Sequence, residues 1–83
     1  MYKIKIILHA QKDLDKMPSA VFNKIKTKIL ELVKNPRPYG AVKLTQQDGY
    51  RIRVSDYRIL YRIDDHYKEI YIYRIKHKRE VYR

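Results

Sequence analysis

Eighty-three residues carry twenty Lys and Arg against nine Asp and Glu, for a net charge of +11, and there is no cysteine. A chain this short buries only about 60% of its unfolded surface, which leaves no room for a cofactor domain beside a substrate domain and excludes a disulfide framework or thiolate metal site. The charge points toward polyanions, and no stretch nears the roughly 20 apolar residues of a membrane span, so the expectation is one cytoplasmic domain over 1–83, with no membrane partner and no cofactor.

The opening "YKIKIIL" alternates, with Tyr2, Ile4, Ile6 and Leu8 to one side, and predicts a strand with one buried face. "AQKDLDKM" places Ala10, Leu14 and Met17 at helical spacing, and Pro18 stops that helix. Ser19 is the expected N-cap of the next one. "SAVFNKIKTKILELVKN" is the clearest helix: Val21, Phe22, Ile25, Ile29, Leu32 and Val33 make one stripe, with Lys24, Lys28 and Glu31 pointing away. "NPRPYG" breaks it. Short alternating runs follow in "VKLTQ", "YRIRV", "YRILYRI" and "EIYIYRI", with turns at Ser55-Asp56 and Asp64-Asp65-His66 between the last three. The fold class is therefore α+β: an N-terminal strand and a helical hairpin packed on one face of a curved antiparallel sheet, in the order strand-helix-helix-strand-strand-strand. The other sheet face is left for function.

Basic residues are not spread evenly. Arg37 is the only arginine before Gly49, and the other seven follow it. Arginine's planar five-donor fork matches phosphate better than the lysine point charge does. A two-residue loop at Ser55-Asp56 sets Val54 opposite Tyr57, Arg53 opposite Arg58 and Ile52 opposite Ile59. Strand alternation then gathers Arg51, Arg53 and Arg58 on one face and sends Tyr50, Ile52, Val54, Tyr57, Ile59 and Tyr61 to the helices. Like charges directly across a strand pair are unfavourable. Any one of these arginines reads most simply as a solvated side chain, but three in one patch read as an anion site. Interleaved tyrosines, including Tyr71, Tyr73 and Tyr82, suit RNA, whose bases stack on rings. The ending "YRIKHKREVYR" adds a basic run that can fold beside the arginine face. A lone His77 and a C-terminal Tyr82 are each more often structural than reactive, but next to a phosphate site both become candidates for proton transfer.

Other chemistries lack their residues. There is no Gly-rich phosphate loop, the three histidines have no ligand spacing, and no serine–histidine pair has an orienting third group. Metal-free RNA cleavage fits what remains. RNA brings its own nucleophile, the 2′-hydroxyl, so the protein must align it, neutralise the phosphate and move protons.

"GYRIRVSDYRILYRI" together with "IYIYRIKHKREVYR" resembles the RelE branch of the RelE/ParE toxins, and the likeness extends through "KDLDKMP" and "NPRPYGAVKL". The resemblance implies a RelE-like toxin domain that cuts mRNA in the ribosomal A site by 2′-hydroxyl attack without a metal. It also implies a RelB-like antitoxin that covers the basic surface in a toxin–antitoxin hetero-oligomer. Carried over by position, Arg51 and Arg53 match the two basic residues of one strand and Arg58 the phosphate-binding arginine of the next. His77 and Lys78 fall near the leaving oxygen, and Tyr82 matches the C-terminal tyrosine. Lys43, Arg62, Lys78 and Arg79 complete the expected RNA-binding set. Some relatives have lysines where this chain has Arg51 and Arg53, and an arginine cannot act as a base, so the proton-transfer load moves to Tyr82 as base and His77 or Lys78 as acid. Two other readings use the same surface: a ParE-like poison of DNA gyrase, and a non-catalytic basic RNA-binding domain.

Overall fold

The computed structural model of the chain describes residues 1–81. In chain order the elements are β1 (Lys3–Ile6), α1 (Leu8–Asp15), α2 (Ser19–Lys34), β2 (Val42–Lys43), β3 (Tyr50–Val54), β4 (Tyr57–Asp64), β5 (Glu69–His77) and α3 (Lys78–Val81). The strands form one five-stranded sheet in the order β1-β5-β4-β3-β2. β2 to β5 pair antiparallel, whereas β1 joins β5 in parallel. That parallel edge follows from the connection, because α1 and α2 lie between β1 and the meander and give the chain the length a crossover needs.

Two short-range expectations differ from the observed chain. Pro18, not Ser19, occupies the N-cap, with extended backbone at φ −61° and ψ 150°, and Ser19 is already helical. The ring fixes φ, and its missing N–H costs nothing at a helix start. The first strand is also shorter than its pattern: it ends at Ile6, and Leu8 begins α1 and is 63% exposed.

The core lies between the helices and one sheet face. Ile25, Ile29 and Leu32 of α2 and Ala10 and Leu14 of α1 meet Ile52, Val54, Ile59, Tyr61, Ile70, Ile72 and Ile75. Each fully buried aliphatic side chain contributes about 1.5–3 kcal/mol of transfer free energy. Tyr61 is wholly buried, stacks on Tyr50 at 5.8 Å between ring centroids and donates its hydroxyl to the Pro36 carbonyl at 2.7 Å. Burial pushes its hydroxyl up to about 12, so it stays protonated and remains a donor.

β5 does not alternate throughout. Between the pairs Leu60↔Arg74 and Tyr61↔Ile72 the register shifts, and Tyr73 is the extra residue of a β-bulge. The bulge lets Ile70, Ile72 and Ile75 all face the core despite their unequal spacing.

At the lower end of the sheet Arg37 ties three segments together. Its guanidinium bonds both Asp65 oxygens, at 3.3 and 2.9 Å, and the Tyr50 hydroxyl at 3.0 Å, while the Tyr2 hydroxyl donates to Asp65 at 2.7 Å. Arg37 and then Tyr2 hold the Asp65 carboxyl below its usual range. The one early arginine thus serves the fold.

Candidate RNA-binding face

Ser55 and Asp56 form the two-residue loop between β3 and β4, with Ser55 at φ 54°. The register is Ile52↔Ile59, Arg53↔Arg58 and Val54↔Tyr57, so Arg53 and Arg58 are direct neighbours on the face turned away from α2. β5 extends the row, because Lys76 pairs with Arg58. The result is a line of three cations, Arg53–Arg58–Lys76, across three strands. Arg51 stands in the next row, opposite Leu60. Lys76 was not among the expected site residues. Its position follows once β5 is set in register with β4, and a strand pattern read on its own does not give that register.

This face is less bare than the sequence implies. Arg53 is exposed and Arg51 is partly buried, but Arg58 is only 6% exposed and Leu60 only 8%. The Arg58 Nη1 donates to the Tyr57 carbonyl at 3.1 Å. Short α3 packs against β5 and β4, and its start is held to the hairpin tip: Lys78 N–H donates to the Asp56 carbonyl at 2.7 Å, and Lys78 Nζ lies 3.5 Å from Asp56 Oδ1. An approaching anion would meet Arg53 first, with Arg58 fixed beneath it.

The remaining expected residues separate. Arg62 shares the arginine face, one row beyond Leu60, and pairs with Tyr71. Lys43 pairs with Tyr50, which puts it on the opposite side from Arg51. His77 pairs with Tyr57, which also turns it off the arginine face. Its ring meets the Tyr57 ring edge-on at 5.3 Å, and its Nδ1 accepts the Arg79 N–H at 3.3 Å. His77 lines a cleft with Asp13, Lys16, Met17, Tyr57, Arg74, Ile75 and Glu80. There Asp13 accepts from Arg74 Nε at 2.9 Å and from the Ile75 N–H at 2.8 Å, satisfying a donor on the edge of β5 that β1 leaves uncovered. Lys78 and Arg79 are exposed on α3. Tyr82 lies outside the described residues. Among the described residues no three His, Asp or Glu converge as a metal site, and no helix is long and apolar enough to cross a membrane.

What the face can do follows from its charges. Four cations gathered on one sheet face, Arg51, Arg53, Arg58 and Lys76, can hold an anion and stabilise charge that grows on it. Guanidinium forks match the oxygens of a phosphodiester, as they do those of a carboxylate.

A family model for the ParE toxin of the parDE type II toxin–antitoxin system matches residues 4–82. The toxin RelG of Mycobacterium tuberculosis is 29% identical over 84 residues, spanning 99% of this chain and 97% of its own. The RelBE2 toxin–antitoxin complex of the same organism contains a chain that superposes with a TM-score of 0.82 at 26% identity, over 92% of this chain and 96% of that one. The archaeal RelE–RelB complex of Pyrococcus horikoshii gives 0.80 at 28% identity, over 93% and 94%.

Proposed function

The chain belongs to the RelE/ParE family of type II toxin–antitoxin toxins, and on that footing we propose that it is a ribosome-dependent endoribonuclease. It acts in the cytoplasm as a single toxin domain, cuts mRNA in the A site without a metal, and so inhibits translation. The observation that carries this reading is the Arg53–Arg58–Lys76 row with Arg51 beside it. The 2′-hydroxyl attacks the adjacent phosphorus, the bond to the leaving 5′-oxygen breaks, and a 2′,3′-cyclic phosphate results. Arg51, Arg53, Arg58 and Lys76 take up the charge on the phosphoryl oxygens. Tyr82 is assigned as the base that removes the 2′-proton.

Lys78 is the preferred acid. It begins α3 at the hairpin tip, beside the arginine row, and is exposed. The His77 ring is committed to Tyr57 and to the Arg79 N–H, which fits a part in setting the entry to α3. Arg79 and Arg62 contact the flanking RNA. Lys43, on the other side of the sheet, is left for ribosomal RNA.

Several of the related structures are toxin–antitoxin complexes, which supports a RelB-like antitoxin as partner here, one that neutralises the basic face in a hetero-oligomer. The test is primer extension on a translated message with purified ribosomes. Breaks inside codons that require ribosomes, and that Arg58→Ala abolishes, support the reading. Intact mRNA overturns it. The matching family model is that of a ParE toxin, which favours gyrase poisoning as the second reading. DNA breaks that depend on gyrase, with mRNA intact, would establish that one instead.

A further inference from the structure

Two residues below Leu60, the open face changes character. Arg62 is exposed, and its guanidinium carbon sits 5.8 Å from the centroid of the Tyr71 ring, its partner across β4 and β5. The Tyr71 hydroxyl donates to Glu69 Oε1 at 2.6 Å, so the ring is pinned. Tyr73, the bulge residue, flanks the pair. A Cβ on Gly49 would lie 3.2 Å from Arg62 Cγ and 3.3 Å from the Tyr73 hydroxyl, so the Tyr73 ring reaches from β5 across β4 toward the start of β3. Gly49 leaves the space that both side chains occupy.

The charge here differs from that of the arginine rows. The next row is Asp64↔Glu69, and Lys5 lies 3.5 Å from Glu69. Arg62 and Lys5 against Asp64 and Glu69 sum to zero, by two positive and two negative charges. A phosphate gains little at a neutral, aromatic-backed spot when Arg51 stands one row up, opposite Leu60, and the Arg53–Arg58–Lys76 row lies about 13 Å up the strand. A nucleobase gains more, since planar guanidinium groups and tyrosine rings are the surfaces on which unpaired bases stack.

We propose that Arg62, backed by Tyr71 and flanked by Tyr73, is a base-stacking platform for a nucleotide neighbouring the one whose phosphate the arginine rows hold. The proposal rests on the RNA-binding reading of this face and assigns Arg62 to the base, not the backbone. Its test is fluorescence anisotropy with a non-cleavable 2′-O-methyl RNA pentamer and with counterparts made abasic at each position in turn. The variants are Arg62→Lys, which keeps the charge and loses the plane, and Arg53→Gln. On the wild-type chain, one abasic position should weaken binding about fivefold or more. Arg62→Lys should weaken binding of the intact strand by a similar factor, abolish the penalty at that position, and leave the salt dependence unchanged. The proposal is overturned if the wild-type chain fails to distinguish intact from abasic strands, if Arg62→Lys matches wild type on the intact strand, or if it weakens intact and abasic strands equally. Arg53→Gln should lower affinity for every strand and flatten the salt slope. If it does neither while the Arg62 results hold, the phosphate row fails and the stacking platform stands.

Discussion

Arg53→Gln separates function from stability at the centre of the cation row. Arg53 and Arg58 are paired across the hairpin, two like charges facing each other on neighbouring strands. Unit charges about 5–10 Å apart in water repel by about 0.4–0.8 kcal/mol. Arg53 is exposed, and its hydrogen bond to protein backbone, Nε to the Ser55 carbonyl, is long at 3.5 Å. Glutamine keeps most of the stem and removes the charge. Stability should therefore rise by about 0.5 kcal/mol, and the gain should shrink in high salt as screening removes the repulsion. Cleavage should fall in the opposite sense, by about 10²–10³-fold, the usual cost of losing one preorganised donor to a developing anion. Urea unfolding gives the first quantity, and single-turnover cleavage on programmed ribosomes gives the second. A variant that is less stable by more than about 1 kcal/mol, yet cleaves normally, would mean that the guanidinium serves the fold and that the anion site is not there.

Four further changes probe what holds the face in place. Gly49→Ala should cost more than about 2 kcal/mol in urea unfolding, because φ is 122° and the new Cβ would sit 2.6 Å from the Tyr61 carbonyl oxygen, which is backbone and cannot move aside. Tyr61→Phe should cost about 1–3 kcal/mol by leaving the Pro36 carbonyl without its donor. Tyr73→Phe should instead be neutral or stabilising by up to about 1 kcal/mol, since the Tyr73 hydroxyl is buried and has no hydrogen-bond partner among the described residues; equal losses in the two variants would refute the contrast. Asp65 has a folded pKa below its ordinary 3.8 because of Arg37 and Tyr2. Its contribution is present above that value and lost as pH falls through the folded one, so Asp65→Asn should be less stable than wild type at neutral pH, and the gap should begin to close only below about pH 3.8 and vanish below the folded pKa in acid titrations followed by circular dichroism.

The β3–β4 hairpin was legible because every signal in it agrees: period-two alternation, a two-residue polar loop, and apolar residues in step on both strands. Its register followed without any long-range information, and with it the placement of Arg51, Arg53 and Arg58. The far partners were not legible in the same way. Lys76 belongs to the cation row only because β5 lies beside β4, and Lys43 is turned away from it only because Val42, not Lys43, pairs with Arg51. His77 was grouped with the arginines by proximity in sequence, whereas strand parity places it with Tyr57. The bulge itself leaves a mark in the sequence. In "EIYIYRIKH" the isoleucines fall at 70, 72 and 75, and a step of three inside a period-two strand marks an inserted residue.

That inserted residue yields the sharpest test of the sheet. Leu60 and Tyr61 are adjacent on β4, and their partners Arg74 and Ile72 are separated only by Tyr73. Deleting Tyr73 would leave Ile72, Arg74, Ile75 and Lys76 in strict alternation, with the isoleucines still inward and the cations still outward. The pairing with β1 stops at Ile72↔Ile6, and Asp13 holds Ile75 and Arg74 from the far side of the bulge, so neither half of β5 has to slide. A deletion in the middle of an interior strand is ordinarily ruinous, because every later side chain changes face. Here it should give a folded protein, destabilised by about 1–3 kcal/mol for the lost aromatic burial. Deleting Leu60 from unbulged β4 should abolish folding, as Arg58 would then turn toward α2. If the two deletions behave alike in circular dichroism and urea unfolding, the bulge does not set the faces of β5, and the placement of Lys76 beside Arg58 loses its physical basis.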